Sequence, residues 1–392
     1  MKLFVSIIII VLLAGCQIDE VPPVGNYNCT LETMQSPSNH PKDLQFKNLM
    51  DSIVASGVPG IQLSVNYPGQ GLWNGAMGYA DLAGNVEILP CNITRVGSTV
   101  KTFAAVTILL LQEEGKLTID EPISNYLSPD QIRGLDNAES STILQLLQHS
   151  SGIYNYIQSA QFQTASLNDL TRVWHPDDLL EYARGKSAYF ESGTDVLYSN
   201  TNYILLGMII EKVTGKPCYK AFEEKIFLPL GMQSTQFAAE NPVPDEIVRG
   251  YVDFYSNLNI IDATDFSGWD YFTADGGLLS NAHDLNIFLQ ALFDEQLLKP
   301  ESLVQMLDWQ AREESFPDEF VTDYGLGIFK IDTAYGPAYI HSGDAIGYFA
   351  SMVYFPDQKV SLSYAVNGNY GKIDAFTQSK EAMETIFRKV LE

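Results

Sequence analysis

The stretch VGSTVK at residues 96–101, followed by an almost wholly apolar run from Phe103 to Leu111, decides how the rest of this chain is interpreted. Lys101 is the only lysine in the chain that has a serine three residues before it. A helix that begins at Ser98 would place both side chains on one face, one turn apart. Burial beside the apolar helix would lower the pKa of the Lys101 amine, so that it could accept the proton of Ser98.

The composition excludes several classes of protein. The chain has 392 residues, of which 46% are hydrophobic, so it can bury a large core and is not a disordered protein. Its 23 basic and 48 acidic side chains give a net charge of −25 at pH 7. We therefore expect no binding to nucleic acid, because phosphate contacts need clustered lysines and arginines.

The first residues have the pattern of an export signal. Lys2 precedes an apolar run from Leu3 to Leu13, which is shorter than the roughly 20 residues of a membrane-spanning helix. The run ends in LAGC at residues 13–16, which resembles the bacterial lipobox, whose cysteine is lipid-modified. We expect residues 1–15 to be a signal peptide, and residues 16–43 to be a lipidated Cys16 and a proline-rich tether. An ordinary signal peptide is the alternative.

The expected location follows from this anchor. A lipid on Cys16 would attach the exported protein to a bacterial membrane, and this would be its only membrane contact. Gln17 is not the aspartate that retains lipoproteins in the inner membrane of Gram-negative cells. The outer membrane, on its periplasmic side, is therefore the favoured location.

Three cysteines remain after the anchor, in an oxidising compartment. Cys218 follows a proline in a helical stretch, and we expect it to be a buried free thiol. A disulfide between Cys29 and Cys91 is possible, and the alternative that neither is bridged stays open.

The order of helices and strands predicts an α+β fold. A helix-like segment from Asp43 to Ser56 comes first, helical patches fill residues 98–298, and a helix from Ile373 to Leu391 closes the chain. The strand-like runs are Gly60–Asn66, Gly71–Tyr79, Gly325–Ile331, Ala338–Ser342, Phe349–Phe355 and Ser361–Val366. Strands at both ends indicate one sheet completed by distant segments, rather than alternating βαβ units. We expect one domain over residues 44–392, with a helical insertion at about residues 98–300.

Several common sites are missing from the sequence. The chain has no G-x-S-x-G, H-E-x-x-H, C-x-x-C or P-loop motif. Its five histidines show no metal-ligand spacing, so we expect neither a metal nor another cofactor. What remains is the pair of Ser98 and Lys101.

Further short stretches extend the pattern around that pair. They are LLQHSSG at 146–152, GTDVLYSN at 193–200, LPLGM at 228–232, GGLLS at 276–280, YGLG at 324–327 and HSG at 341–343. In content and order, these stretches and VGSTVK resemble the motifs of the serine β-lactamase and penicillin-binding-protein family. The resemblance covers about residues 44–392. It implies an antiparallel sheet flanked by the terminal helices, with a mostly helical subdomain.

The resemblance also implies a role for each motif residue. Ser98 would attack a carbonyl, and Lys101 would accept its proton. Tyr198 would pass the proton to the leaving group and activate water for deacylation, while Asn200 would hold the substrate amide or the Lys101 amine. Tyr-Ser-Asn also occurs at residues 255–257, but only the copy at Tyr198 follows Gly-Thr and precedes a helix pattern.

The HSG motif at residues 341–343 would lie on the strand that faces the nucleophile. The oxyanion hole would consist of the backbone N–H groups of Ser98 and Asp344. Gly343 would make room for a substrate that lies along the strand as an added strand. His341 stands where family members carry lysine or histidine, whereas His149 is expected to brace a loop rather than to catalyse.

The substrate is a small molecule or a peptide in this interpretation. D-alanyl peptides, β-lactams and small esters are the candidates, and efficient β-lactam cleavage is less secure because a histidine replaces the lysine that helps to bind a carboxylate. A non-catalytic lipoprotein that keeps the fold as a binding module is the alternative. The net negative charge favours neutral esters and amides over anionic substrates.

Overall fold

Helices pack on both faces of a nine-stranded antiparallel sheet in the computed structural model, and two further sheets have three strands each. The structure describes residues 27, 29, 40–239, 243–266, 272–312 and 320–392. The signal peptide, Cys16 and most of the tether lie outside the described residues. The strands are β1 Gly60–Tyr67, β2 Gly71–Asp81, β3 Val86–Glu87, β4 Thr94–Arg95, β5 Gln236–Phe237, β6 Tyr251–Val252, β7 Ile261–Asp262, β8 Leu278–Ser280, β9 Gln310–Ala311, β10 Asp323–Tyr324, β11 Phe329–Thr333, β12 Gly336–Ala345, β13 Tyr348–Phe355, β14 Val360–Val366 and β15 Gly368–Asn369.

The helices occur at both ends of the chain and between the strands. They are α1 Asp43–Ala55, α2 Val100–Glu113, α3 Pro129–Ile132, α4 Ile143–Leu147, α5 Ala160–Asn168, α6 Pro176–Leu180, α7 Asn200–Thr214, α8 Cys218–Phe222, α9 Leu228–Leu230, α10 Ala282–Phe293, α11 Pro300–Met306, α12 Gly371–Thr377 and α13 Lys380–Leu391. A π-helical stretch, Glu223–Phe227, joins α8 to α9. No helix of the described ranges is long and apolar enough to cross a membrane.

The main sheet has nine strands in the order β3-β2-β1-β14-β13-β12-β11-β10-β9. Strands from the two ends of the chain meet where β1 pairs with β14, with Ile61 opposite Val366. Alternating residues of β13 belong to two cores: Phe349 and Val353 pack with α1 and α13, whereas Ala350 and Met352 pack with α2, α7 and α10. The predicted α+β class is confirmed.

The structure corrects three sequence-based boundaries. The predicted strand Gly325–Ile331 is wrong over its first half, because Gly325 N–H donates to the Ile328 carbonyl in a tight turn that separates β10 from β11. The predicted closing helix is two helices, and Ser379 caps the second by accepting from Ala382 N–H. The predicted helical segment 98–300 also contains short strands, and its α10 packs on the main sheet against β1 and β14.

A disulfide ties the N-terminal segment to the domain. Cys29 is bonded to Cys91, with the two Cα atoms 5.9 Å apart, which confirms the bridge that the sequence left open. Asn92 Nδ2 donates to the Tyr27 carbonyl at 2.8 Å beside this bridge. Cys218 is a buried free thiol, as predicted. Contacts with the domain therefore begin before residue 44.

Candidate active site

Ser98 lies in a tight turn at the start of the buried helix α2. The sequence analysis began a helix at Ser98, but Gly97–Thr99 forms a 3₁₀ turn and the α-helix begins at Val100. Gly97 has φ +48°, and a Cβ there would lie 2.6 Å from the Asp344 carbonyl oxygen. A glycine at this position thus lets the nucleophile turn lie directly against strand β12.

The Lys101 amine reaches Ser98 from within the core. Its Nζ lies 2.9 Å from Ser98 Oγ and also donates to the backbone carbonyl of Asp275 at 2.5 Å. The Lys101 side chain is completely buried. Ser98 and Lys101 are therefore in direct contact, as predicted, and the backbone of the turn at Asp275 holds the Lys101 amine in position.

Tyr198 approaches the same hydroxyl from the other side. Its phenol donates to Ser98 Oγ at 3.0 Å, and its ring lies 5.1 Å from Lys101 Nζ. Both proton-transfer groups predicted from the sequence therefore meet at one oxygen atom. The second Tyr-Ser-Asn copy is in an exposed turn, where Tyr255 has 71% of its surface accessible, so the choice of Tyr198 is supported.

His149 supports the segment that carries Tyr198. Its Nδ1 accepts from Ser199 N–H at 3.1 Å, and its ring centroid is 4.4 Å from that of Tyr198. Burial lowers the pKa of His149 well below its usual value, and the charge of Lys101 lowers it further. His149 is therefore a neutral brace, in the loop-bracing role that was expected for it.

Asn200 begins helix α7, two residues after Tyr198. Both its backbone N–H and its side-chain Nδ2 point to Asn155 Oδ1, at 3.2 and 3.4 Å. Asn155 was missed by the sequence analysis because only the folded loop brings it to the start of α7. The interaction of Asn200 with a substrate or with Lys101 stays a prediction.

The outer edge of β12 is free beside the nucleophile. The β12–β13 hairpin closes with Ala345 opposite Tyr348, and alternation from that pair directs the N–H and C=O groups of Ser342 and Asp344 away from β13. The pairing with β11 ends at Ile340. Within the described ranges, the edge at residues 342–344 therefore has no strand partner.

Gly343 allows this edge to lie against the nucleophile turn. A Cβ at Gly343 would be 1.9 Å from the Val96 carbonyl oxygen and 2.6 Å from the Ser98 nitrogen. The absence of a side chain thus brings the backbone N–H groups of Ser98 and Asp344 to the same small region. This arrangement has the parts that the predicted oxyanion hole needs.

His341 lies on β12, buried behind the free edge. Its Nδ1 is 2.8 Å from the Ser342 carbonyl oxygen, which assigns the ring proton to Nδ1, and its Nε2 has no hydrogen-bond partner among the described residues. Burial lowers the pKa of His341 to about 3, and the charge of Lys101 contributes. The imidazole is therefore neutral at pH 7 and cannot supply the charge of a lysine to bind an anion.

Asp275 is a second residue near the nucleophile that the sequence analysis missed. Its backbone carbonyl holds Lys101, and its buried carboxyl accepts from Tyr156 Oη at 2.8 Å and from Thr273 Oγ1. Burial raises the pKa of Asp275, while the charge of Lys101 opposes that shift. Asp275 directly precedes the GGLLS stretch, but nothing local in the sequence indicates its contact with Lys101.

These groups open onto a pocket of about 340 Å³. Ser98, Tyr198, His341 and Asp344 line it together with apolar side chains such as Phe320 and Phe329. Across the part of the chain that the structure describes, no group of three His, Cys, Asp or Glu side chains is placed to hold a metal ion. The arrangement therefore combines a hydroxyl nucleophile, two proton-transfer groups, two N–H donors and a strand edge.

Comparisons with known proteins agree with this geometry. The family model described as Beta-lactamase matches residues 46–383. Penicillin-binding protein 4* of Bacillus subtilis is 28% identical over 311 residues, which are 76% of this chain and 65% of that protein. Protein flp of Staphylococcus aureus is 28% identical over 59% of this chain. The chain spans only 65% and 45% of the lengths of these two relatives.

Solved structures of amide-cleaving enzymes share the fold. A D-stereospecific amidohydrolase from Streptomyces sp. is 30% identical with a TM-score of 0.72, over 86% of this chain and 99% of that one. The D-amino acid amidase from Ochrobactrum anthropi SV3 is 26% identical with a TM-score of 0.78, over 89% of this chain and 97% of that one.

Proposed function

The chain belongs to the β-lactamase family, and we propose that it is a lipid-anchored serine hydrolase that cleaves amide or ester bonds through an acyl-enzyme at Ser98. The observation that carries this proposal is the convergence of Lys101 Nζ, at 2.9 Å, and Tyr198 Oη, at 3.0 Å, on Ser98 Oγ. A nucleophile that is flanked by proton acceptors and donors within hydrogen-bond reach is the arrangement that acyl transfer requires.

Acylation starts when the substrate carbonyl enters the oxyanion hole. Ser98 Oγ attacks the carbonyl carbon, and its proton moves across the 2.9 Å contact to the Lys101 amine, which must be in its unprotonated form for this step. The N–H groups of Ser98 and Asp344 stabilise the negative charge that develops on the carbonyl oxygen. The bond to the leaving group then breaks, and Tyr198 donates its phenolic proton to the leaving group and regains a proton from Lys101.

Deacylation uses the same groups with water in the place of the leaving group. Tyr198 and Lys101 accept a proton from the water, which attacks the acyl carbon. The ester bond to Ser98 breaks, and Ser98 Oγ takes up a proton while the free acid leaves. The enzyme then returns to its starting protonation state, so no proton is gained or lost by the protein.

Intact-protein mass spectrometry with a fluorophosphonate and with a fluorescent penicillin tests the acyl-enzyme. We expect one covalent adduct on the wild-type protein and none on Ser98→Ala. Ser342→Ala is the matched control, because it removes another hydroxyl that lines the same pocket and should leave the protein labelled. An adduct that persists on Ser98→Ala would refute the assignment of the nucleophile to Ser98. The absence of an adduct with either probe would also refute it and would favour the non-catalytic binding module.

A substrate panel separates the candidate reactions. Turnover of a p-nitrophenyl ester, of nitrocefin and of a D-Ala-D-Ala peptide is measured with one enzyme preparation. We expect ester and amide substrates without an anionic group to be preferred, because the neutral His341 offers no cation to bind a carboxylate. The names of the two solved neighbours, an amidohydrolase and an amidase, support the inclusion of amide substrates.

The lipid anchor is tested separately from the chemistry. We propose that Cys16 carries the lipid and that the outer membrane holds it, on the basis of the LAGC sequence at residues 13–16 and of Gln17. Growth with labelled palmitate should label the wild-type protein in the membrane fraction, whereas Cys16→Ser should be unlabelled. Labelling of Cys16→Ser would contradict this assignment without affecting the assignment of Ser98.

A further inference from the structure

The pocket beside Ser98 continues past the reacting groups into a part with apolar walls. The pairing of β11 with β12 ends where Phe329 lies opposite Ile340, and this leaves the edge of β12 open beyond that pair. Through this opening the pocket reaches Met383 of α13, which packs on the face of the sheet opposite to the nucleophile turn. We call this part the apolar chamber, and its apolar side chains are Phe320, Val321, Phe329, Ile340, Phe349 and Met383.

The polar side chains along the chamber have partners within the protein. Of the described residues that line the pocket, none is a lysine or an arginine. His341 also lines it and is neutral at pH 7, because burial lowers its pKa to about 3. The chamber therefore offers contact area to an apolar group and no positive charge to a carboxylate. The polar pairs are Ser342 with Ser351, Gln378 with Asp374, and Asp344 with Asn369.

Tyr198 indicates which half of the substrate enters the chamber. In the proposed reaction its phenol gives a proton to the leaving group, so that group lies on the Tyr198 side of the scissile carbonyl. The ring centroid of Tyr198 is 6.0 Å from that of Phe329, which forms a wall of the chamber. From the N–H of Asp344, which would bind the carbonyl oxygen, the pocket extends along β12 to Ile340. The leaving group, rather than the acyl part, therefore faces the chamber.

From this arrangement we infer that the preferred substrates have a bulky apolar leaving group, either the alcohol part of an ester or the amine part of an amide, which the apolar chamber binds. The inference rests on the proposed hydrolase function. An apolar cavity of about 150 Å³ is large enough for benzene. The whole pocket has about 340 Å³, so that an aromatic ring and the scissile group fit together. Because burial of apolar area is favourable before and after the attack on the carbonyl, the gain should appear in kcat/KM, mainly through KM.

Esters with matched chemistry measure this preference. Methyl acetate and benzyl acetate share the acyl group and have alcohols of similar acidity, so they differ mainly in the apolar size of the leaving group. Hydrolysis is followed by titration of the released acid at constant pH. We expect kcat/KM to be at least about tenfold higher for benzyl acetate. Methyl phenylacetate, which carries the ring on the acyl side, should gain less over methyl acetate.

The variant Val321→Lys tests the chamber itself, since Val321 is half-buried in its wall and can be replaced by a flexible side chain. The wild-type protein should hydrolyse 4-carboxybenzyl acetate at least about fivefold less efficiently than benzyl acetate, because no cation offsets the burial of the carboxylate. Val321→Lys should reduce this ratio to about one. Val304→Lys makes the same change on α11, where Val304 is 73% exposed and outside the pocket, and it should keep the wild-type ratio.

The comparison of wild-type rates does not depend on the folding of any variant. Equal kcat/KM for methyl and benzyl acetate, or a larger gain from the ring on the acyl side, would overturn the inference. An unchanged ratio in a folded Val321→Lys protein would do the same, as would no turnover of benzyl acetate by a protein that the fluorophosphonate labels. The absence of any acyl-enzyme would instead refute the proposed function.

Discussion

Replacement of Gly343 by alanine tests the close approach on which the oxyanion hole depends. The new Cβ would stand 1.9 Å from the Val96 carbonyl oxygen and 2.6 Å from the Ser98 nitrogen, and both neighbours are backbone atoms. Relief of the first contact alone requires the strand and the nucleophile turn to separate by at least about 1.1 Å, to reach 3.0 Å, which is the lower limit for real Cβ contacts. Displacements of this size can cost about 100-fold in rate.

The N–H groups of Ser98 and Asp344 lie on opposite sides of that gap, so a wider gap would increase the distance between these two donors. The loss of one oxyanion donor costs about 10²–10³-fold in kcat, and we expect kcat/KM on a p-nitrophenyl ester to fall by at least about 100-fold. Overpacking should also lower the free energy of unfolding by about 1–3 kcal/mol, measured by urea denaturation.

Gly75→Ala is the matched control for Gly343→Ala. Its Cβ would collide with the side chains of Trp73 and Met50, on the face of the sheet that packs against α1. We expect a similar loss of stability with activity within about twofold of wild type, since ΔΔG values at distant sites are independent. If Gly343→Ala kept wild-type kcat/KM, the assignment of the oxyanion hole to Ser98 and Asp344 would be refuted.

Three further outcomes follow from the same geometry. Tyr198→Phe removes the phenol 3.0 Å from Ser98 Oγ and should lower kcat by about 10²–10⁴-fold, and steady-state kinetics that match wild type would exclude Tyr198 from proton transfer. His341 has a folded pKa of about 3 against 6.5 in the unfolded chain, so the unfolded state binds the extra proton and stability falls as the pH drops from about 6.5 toward 3. Urea denaturation should show this loss, up to about 1.4 kcal/mol per pH unit, and His341→Gln should show a shallower slope. Reduction of the Cys29–Cys91 bridge, which joins cysteines 62 residues apart, should lower the unfolding free energy by at most about 4 kcal/mol, and an unchanged Tm under reducing conditions would show that the bridge does not stabilise the domain.

The parts of the site that depend on short sequence separations could be predicted. Ser98 and Lys101 are three residues apart, so the helical repeat alone brings them together, and the structure shows this contact at 2.9 Å. Tyr198 could be placed only through the resemblance to a family, because 100 residues separate it from Ser98. At Ser98 the predicted start of helix α2 is two residues too early, because the 3₁₀ turn before it depends on the packing of Gly97 against β12.

The supporting contacts could not be predicted in the same way. Lys101 donates to the backbone carbonyl of Asp275, which is 174 residues away in the chain. Because every residue has a backbone carbonyl, the sequence does not indicate which one binds Lys101. Asn155 meets Asn200 only because a loop folds over the start of α7. The break between α12 and α13 could not be predicted from the apolar spacing, which continues through it. Ser379 nevertheless starts a new helix there, because its side chain accepts a hydrogen bond from Ala382 N–H.

The disulfide at Cys29 also sets how far the enzyme can reach from its proposed anchor. Thirteen residues separate Cys16, the proposed site of the lipid, from Cys29, and a fully extended chain of that length spans at most about 45 Å. The bridge thus limits the radius around the proposed anchor within which the pocket can meet a substrate, so the proposed lipoprotein would work on molecules close to its own membrane.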